Sequence, residues 1–126
     1  MEKKKILAVD DEFEIVRAIQ LILGQQDGYE VLVASDGEEA LDKARKEKPD
    51  LIVLDLMLPK INGYKVCRML KFDQAYSKIP IIMLTAKARK SDLELGYEVG
   101  ADAYITKPFE PVKLLAKVEE LLSNTK

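Results

Sequence analysis

Several residue types that build common active sites are scarce in this chain. Its 126 residues include no histidine, no tryptophan and a single cysteine, Cys67. The lack of histidine excludes a Ser-His-Asp triad, histidine metal ligands and histidine phosphorylation within these residues. One cysteine forms neither an internal disulfide nor a multi-cysteine zinc site, and we interpret Cys67 as a helix residue without a redox role.

Long apolar runs and a strong charge of either sign are also missing. No run approaches the roughly 20 apolar residues of a membrane-spanning helix, and the few apolar residues after Met1–Lys5 do not form a signal peptide. The net charge is −2, from 20 basic and 22 acidic residues. We therefore expect neither nucleic-acid nor membrane binding by the domain itself, and we predict a cytoplasmic location.

A glycine-rich phosphate loop is the third missing feature. Doubly wound folds that bind flavin or nucleotide phosphates use glycine- or hydroxyl-rich loops after the first strand, where backbone amides meet the phosphate. Here the corresponding segment is Asp10-Asp11-Glu12-Phe13. Acids at this position repel a phosphate and attract a cation, which argues against a nucleotide site.

Short apolar runs alternate with amphipathic segments along the whole chain. The composition, 48% hydrophobic and 33% charged, is typical of one globular domain, which we assign to residues 1–126. Strict alternation with short connections predicts an α/β fold, doubly wound, with a parallel sheet between two helical layers. The predicted strands contain the runs Ile6–Val9, Val31–Ala34, Leu51–Leu54, Ile81–Leu84 and Ala103–Ile105.

Five helices are predicted between and after these strands, from their apolar spacing and their end signals. The first spans about 14–23 and the second about 38–47. The third is expected to place Val66, Met69 and Leu70 on one face. The fourth begins at a capping box of Ser91 and Glu94, buries Leu93, Gly96 and Tyr97, and ends near Gly100. The last spans about 111–122 and is expected to bury Val112, Leu115, Val118 and Leu122.

Polar side chains follow the predicted strands where each one ends. Asp10 and Asp11 follow the first strand, Asp55 the third, Thr85 the fourth and Lys107 the fifth. The carboxyl ends of parallel strands share one edge of a sheet, and ligands of open α/β sheets bind there. The sequence therefore predicts one site that combines carboxylates, a hydroxyl and an ammonium.

This combination of groups suits a divalent cation and a phosphoryl group. Carboxylates about 4 Å apart repel each other by a few kcal/mol near a protein surface, and a hard ion such as Mg²⁺ relieves the repulsion. Asp55 ends the most hydrophobic strand, so we expect it at the deepest point, where its carboxylate can attack phosphorus. Lys107 and Thr85 are expected to donate hydrogen bonds to the phosphoryl oxygens.

The ordered set of motifs resembles the receiver domains of two-component response regulators over almost the whole chain. The motifs are Val9–Glu12, Asp36–Leu41, Pro49–Asp55, Met57–Pro59, Asn62-Gly63, Leu84–Ala86, Gly100–Asp102 and Tyr104–Phe109. The resemblance implies a flavodoxin-like three-layer sandwich of five β-α units, with strand order 2-1-3-4-5. It also implies a phosphoacceptor signalling domain rather than an enzyme, with self-phosphorylation from a donor and self-dephosphorylation as its only reactions.

The resemblance assigns roles to individual residues. Asp55 is implied to be the phosphoacceptor. Asp10, Asp11, Asp55 and the Met57 backbone carbonyl are implied to bind Mg²⁺, with Mn²⁺ as a second candidate ion. Thr85 and Tyr104 are implied to form a switch pair that reshapes the surface of the fourth helix, fifth strand and fifth helix. The Lys107–Pro108 bond is expected to be cis, as in relatives.

The implied partners are a sensor histidine kinase or a histidine phosphotransfer protein as donor, and an effector protein or fused output domain as target. No output domain is expected within these residues. Ala103 and Glu119 depart from the paired charges through which DNA-binding members often dimerise. These departures argue against that mode of dimerisation. The expected states are a monomer or a phosphorylation-dependent dimer.

Three further expectations concern competing functions and the lifetime of the phosphoryl group. A small magnesium phosphatase or phosphotransferase with Asp55 as nucleophile is an alternative, but Met57 occupies the position where such enzymes need an acid-base residue. A pseudo-receiver scaffold is a second alternative, although it has no need of clustered acids. Met57 orients water poorly and Lys87 is expected to screen the phosphoryl group, so self-dephosphorylation is expected to be slow.

Overall fold

A computed structural model of the chain describes residues 3–85 and 100–124. Within these residues, five strands and four helices follow one another along the chain. They are β1 (Lys4–Val9), α1 (Phe13–Gly24), β2 (Tyr29–Ala34), α2 (Gly37–Glu47), β3 (Leu51–Asp55), α3 (Gly63–Lys71), β4 (Ile81–Thr85), β5 (Ala103–Thr106) and the C-terminal helix (Pro111–Asn124). The predicted fourth helix and Lys87 lie outside the described residues.

All five strands belong to one parallel sheet in the order β2-β1-β3-β4-β5. Every residue of β3 and β4 is buried, as expected for central strands covered on both faces. One face of the sheet packs against α2 and α3, and the other packs against α1 and the C-terminal helix. The predicted doubly wound fold and strand order are therefore confirmed.

Side-chain caps fix where α2 and α3 begin. The Asp36 carboxylate accepts a hydrogen bond of 2.8 Å from the backbone N–H of Glu39. The Asn62 side chain accepts one of 2.9 Å from the N–H of Lys65. Each cap satisfies an N–H group that has no partner within its helix, and each is followed by a buried glycine, Gly37 or Gly63.

The predicted faces of two helices need correction. On α3, Cys67 is fully buried, whereas Met69 is 39% exposed. On the C-terminal helix, Leu114 is fully buried, whereas Val112 is 76% exposed. The other predicted core residues are confirmed: Val66, Leu70 and Val118 are buried, and Leu115 and Leu122 are partly buried against the core. In each helix one predicted position faces solvent and a neighbouring apolar residue is buried instead.

Gly100, near which the sequence predicts the fourth helix to end, belongs to the described residues. Gly100 has a φ of +93°, in the left-handed region that favours glycine.

No helix in the described part of the chain has both the length and the apolar character needed to cross a bilayer.

Candidate functional site

Three polar side chains lie buried at the carboxyl edge of the sheet. Asp10 follows β1, while Asp55 and Thr85 are the last residues of β3 and β4. Their exposed fractions are 1%, 3% and 2%, respectively. Buried carboxylates need charge partners or hydrogen bonds because an isolated charge in a protein interior is costly. Two buried carboxylates at this edge therefore indicate a functional site, at the position that the sequence predicts.

Asp11 joins Asp10 and Asp55 in a compact group of oxygen atoms. One carboxylate oxygen from each residue lies within 4.8 Å of the other two. Asp10 and Asp55 are buried, whereas Asp11 is exposed and forms the solvent side of the group. The structure thus brings together the three acids that the sequence places after two different strands.

Lys107 holds the two buried carboxylates together. Its Nζ lies 2.8 Å from Asp10 Oδ2 and 3.1 Å from Asp55 Oδ1, and its side chain is only 12% exposed. Its backbone N–H donates a 2.7 Å hydrogen bond to the carbonyl of Thr85. The Lys107–Pro108 bond is cis, as expected. The end of β5 therefore delivers an ammonium group to the same point as the acids.

The pKa values show how crowded the acids are. Burial, with repulsion from Asp10 and Asp11, raises the pKa of Asp55 to about 6, although Lys107 opposes the shift. Burial also raises the pKa of Asp10 against the hydrogen bonds from Lys107 and from the Glu12 N–H. Burial lowers the pKa of Lys107, but its two carboxylate partners outweigh that effect and raise it overall.

The geometry and charge of this group fit a divalent cation. Opposite ligands of an octahedral Mg²⁺ lie about 4.2 Å apart, since each bond is about 2.1 Å. The oxygens of Asp10, Asp11 and Asp55 all lie within 4.8 Å of one another, close to this distance. Three carboxylates and one ammonium leave two negative charges, which one divalent ion neutralises.

Thr85 and Tyr104 occupy one face of the sheet on neighbouring strands. Tyr104 pairs with Met83, and Thr85 lies two residues beyond Met83 on β4. Alternate residues of a strand point to the same face, so Thr85 and Tyr104 are diagonal neighbours. Tyr104 is half-buried against the core on the α2 and α3 side. The two residues of the implied switch pair therefore lie on the same face of the sheet, on adjacent strands.

Two residues of the rim complete the description of the site. Met57 has an exposed side chain, 76% accessible, on the loop that follows Asp55. Glu12 places its Oε1 3.7 Å from Lys107 Nζ. The sequence assigns no role to Glu12, although its position directly after two acids is a signal for such a contact.

Comparison with known proteins identifies the family. The family model described as "Response regulator receiver domain" matches residues 6–119. The chain belongs to this family. Among curated relatives of the receiver domain, the alkaline phosphatase synthesis transcriptional regulatory protein PhoP of Bacillus subtilis (strain 168) is 56% identical over 119 residues. That match covers 94% of this chain and 48% of PhoP. The receiver chain spans about half the length of the curated relatives it matches.

Solved structures agree with the receiver assignment. A response regulator from Chloroflexus aurantiacus J-10-fl superimposes with a TM-score of 0.92 at 37% identity, over 98% of this chain and all of the other. The receiver domain of sensor histidine kinase PA1611 from Pseudomonas aeruginosa PAO1 superimposes with a TM-score of 0.88 at 30% identity, over 97% and 99% of the two chains. That structure has a magnesium ion coordinated in its active-site cleft.

Proposed function

We propose that this receiver domain accepts a phosphoryl group on Asp55 from a phosphohistidine of a sensor histidine kinase or a histidine phosphotransfer protein. The observation that carries the proposal is the convergence of Asp10, Asp11 and Asp55 beside the buried ammonium of Lys107. The three acids are placed to hold a divalent cation, and that cation together with Lys107 would offset the negative charge of a transferring phosphoryl group.

The proposed step uses the chain's own groups in defined roles. A carboxylate oxygen of Asp55 attacks phosphorus, the phosphorus–nitrogen bond of the donor breaks, and the bonding electrons return to the imidazole. Lys107 is 3.1 Å from Asp55 Oδ1, so its Nζ can donate to the transferred oxygens. Mg²⁺ or Mn²⁺, when bound by Asp10, Asp11, Asp55 and the Met57 carbonyl, neutralises charge on those oxygens.

Phosphorylation is proposed to change the surface around β5. A phosphoryl group on Asp55 adds charge and acceptor oxygens near the end of β4, where the Thr85 hydroxyl can donate to it. If Thr85 moves toward the group, Tyr104 can occupy the space on the same face of the sheet. Moving such an equilibrium from 1:99 to 99:1 takes about 5.5 kcal/mol of differential stabilisation.

The target of this switch is proposed to be an effector protein or a fused output domain. Relatives about twice as long as this chain are transcriptional regulators by name, so DNA contact by a full-length protein is compatible with a receiver that binds no DNA itself. Family membership also supports a cytoplasmic location. The receiver itself is proposed to transfer phosphoryl groups to no substrate other than Asp55.

Intact mass spectrometry tests the acceptor. We expect the wild-type domain, incubated with Mg²⁺ and acetyl phosphate, to gain one labile phosphoryl group. Asp55→Asn is expected to gain none, because an amide is a poor nucleophile, while circular dichroism shows that it remains folded. An increment retained in Asp55→Asn would contradict the assignment. No increment in a folded wild type that binds Mg²⁺ would favour a scaffold or an enzyme with another substrate.

The lifetime of the phosphoryl group is a separate prediction. Water needs a polar side chain to orient it toward the aspartyl phosphate, and the exposed thioether of Met57 serves poorly. We expect a half-life of minutes or longer, measured as phosphate release after removal of the donor. Met57→Asn is expected to shorten it several-fold. A wild-type half-life of a few seconds would refute this prediction.

A further inference from the structure

The loop that follows Asp55, residues 56–62, carries Met57 and is called here the acceptor loop. Its ends are tied to the core by backbone hydrogen bonds. The N–H of Leu56 donates to the Leu84 carbonyl at 3.0 Å, and the N–H of Gly63 donates to the Leu56 carbonyl at 2.9 Å. The loop is thus closed on itself directly beside the acceptor residue.

The start of α3 lies against the backbone of Asp55 without any side chain between them. A Cβ atom at Gly63 would lie 2.2 Å from the Asp55 carbonyl oxygen and 2.9 Å from the Leu56 Cα. Both distances are far below an ordinary contact, so only glycine permits this approach. Gly63 therefore fixes the end of the acceptor loop relative to Asp55.

A second glycine touches the middle of the acceptor loop from a different element. Gly37 is the first residue of α2 and is buried. A Cβ atom there would lie 1.9 Å from the carbonyl oxygen of Ile61 and 2.7 Å from its Cβ. The Gly37 N–H also donates a 3.3 Å hydrogen bond to the Pro59 carbonyl. The main chain of α2 is therefore in direct contact with the main chain of the loop.

The acceptor loop has little conformational freedom to accommodate a displacement of Ile61. The Ile61 side chain packs against the core on the α2 and α3 side. The Ile61 N–H donates to the Pro59 carbonyl at 2.8 Å, which closes a tight turn. Lys60, inside this turn, has a φ of +67°, in the sparsely populated left-handed region. A displacement of Ile61 is therefore transmitted along the turn toward Met57.

We propose that Gly37 is a positioning residue for the metal site. Because no side chain lies between α2 and Ile61, Gly37 sets the position of the acceptor loop relative to Asp55. The position of the loop in turn sets the affinity and the selectivity of the site for Mg²⁺. This inference rests on the proposed binding of Mg²⁺ by Asp10, Asp11, Asp55 and the Met57 carbonyl. The contacts described above join Gly37 to Pro59 and Ile61, which are not members of that ligand set.

Ion selectivity distinguishes positioning from simple destabilisation. Mg²⁺ requires near-ideal octahedral geometry at about 2.1 Å, whereas Ca²⁺ accepts irregular geometry at about 2.3–2.6 Å. A Cβ at position 37 would approach the Ile61 oxygen to 1.9 Å, so an alanine methyl has to push the loop by about 1.5 Å or more to reach ordinary contact. Gly37→Ala is expected to weaken Mg²⁺ binding by about 10-fold to 100-fold and Ca²⁺ binding much less.

The experiment is calorimetric titration of folded protein with Mg²⁺ and with Ca²⁺. Gly24→Ala is the matched control, because a Cβ at Gly24 meets no atom within 4 Å, and it should bind both ions like the wild type. Ile61→Ala is the second variant if Gly37→Ala does not fold. Because it releases the loop from its seat in the core, it is expected to lower the ratio of Mg²⁺ to Ca²⁺ affinity as well.

The outcomes separate this inference from the function on which it rests. If Asp11→Asn binds Mg²⁺ as tightly as the wild type, the proposed metal site is wrong. If Asp11→Asn binds weakly but Gly37→Ala keeps the wild-type ratio of the two affinities, only the role of Gly37 is overturned. Equal loss of both ions in Gly37→Ala also overturns it, since general destabilisation explains that result.

Discussion

Replacing Lys107 with methionine is expected to lower the free energy of unfolding of the domain in EDTA by about 3–5 kcal/mol. The ammonium lies within 3.1 Å of carboxylate oxygens of both Asp10 and Asp55, and its side chain is only 12% exposed. Methionine keeps the length of the side chain but leaves two buried carboxylates without their cation. The loss of charge, rather than of packing, is therefore what the variant measures.

Urea denaturation in EDTA and in Mg²⁺ checks this expectation. Because Mg²⁺ no longer competes with the ammonium, it should stabilise Lys107→Met more than it stabilises the wild type. Lys117→Met is the control, since the Lys117–Glu120 pair is exposed on the C-terminal helix and should contribute less than about 1 kcal/mol. Similar stability losses in the two variants would show that Lys107 does not neutralise the acids.

The opposite result is expected for Asp55→Asn in EDTA, which should be about 1–3 kcal/mol more stable than the wild type. The pKa of Asp55 rises from its ordinary value of 3.8 to about 6 in the folded domain. Each unit of pKa is worth about 1.4 kcal/mol, so the charged form of Asp55 opposes folding. An asparagine removes this repulsion and still offers an oxygen to Lys107.

The pH dependence of Asp55→Asn has a definite sign. Because the folded-state pKa lies above the unfolded value, protonation of Asp55 favours folding, and this contribution disappears as the pH rises from about 4 through about 6. The advantage of Asp55→Asn should therefore be absent at the acid end of this range and complete above it. Saturating Mg²⁺ should reduce the advantage, since only the wild type has the full ligand set.

Melting temperature, measured across this pH range in EDTA, is the suitable observable, with an expected increase of roughly 4–12 °C above the transition. Asp42→Asn, on the exposed side of α2, is the control and should change little. A lower melting temperature for Asp55→Asn at neutral pH would mean that the carboxylate stabilises the domain through Lys107 more than it destabilises it by crowding.

The fold could be predicted from the sequence because its main signals are local. The apolar runs of β3 and β4 and the Asx-Gly helix starts specify their own elements. The extension of β1 to Lys4 and Lys5 is not local, because those residues become strand by pairing with Tyr29 and Glu30. The buried stripe of the C-terminal helix is not local either. Leu114 and Leu115 both offer an apolar face, and the path of the chain after β5 selects Leu114.

The site, like the fold, has features that local sequence predicts and others that depend on tertiary contacts. The sequence identifies Asp10, Asp55 and Lys107 because each stands at the end of a strand. It does not reveal that Lys107 bridges the two acids, because this contact depends on the spacing of the strand ends in three dimensions. Nor does it reveal the contact of Gly37 with Ile61, because two main-chain segments meet there and no side-chain pattern records such an approach.

Cys67 is a natural probe for the local separation of α3 from the sheet. It is the only thiol in the sequence, it is fully buried between α3 and the sheet, and burial raises its pKa to about 12. Because reagents attack the thiolate, alkylation in the native state has to wait until α3 leaves the sheet. The rate of native-state alkylation therefore reports how often α3 separates from the sheet, and no label has to be introduced. The first residue of this helix, Gly63, packs against the backbone of Asp55.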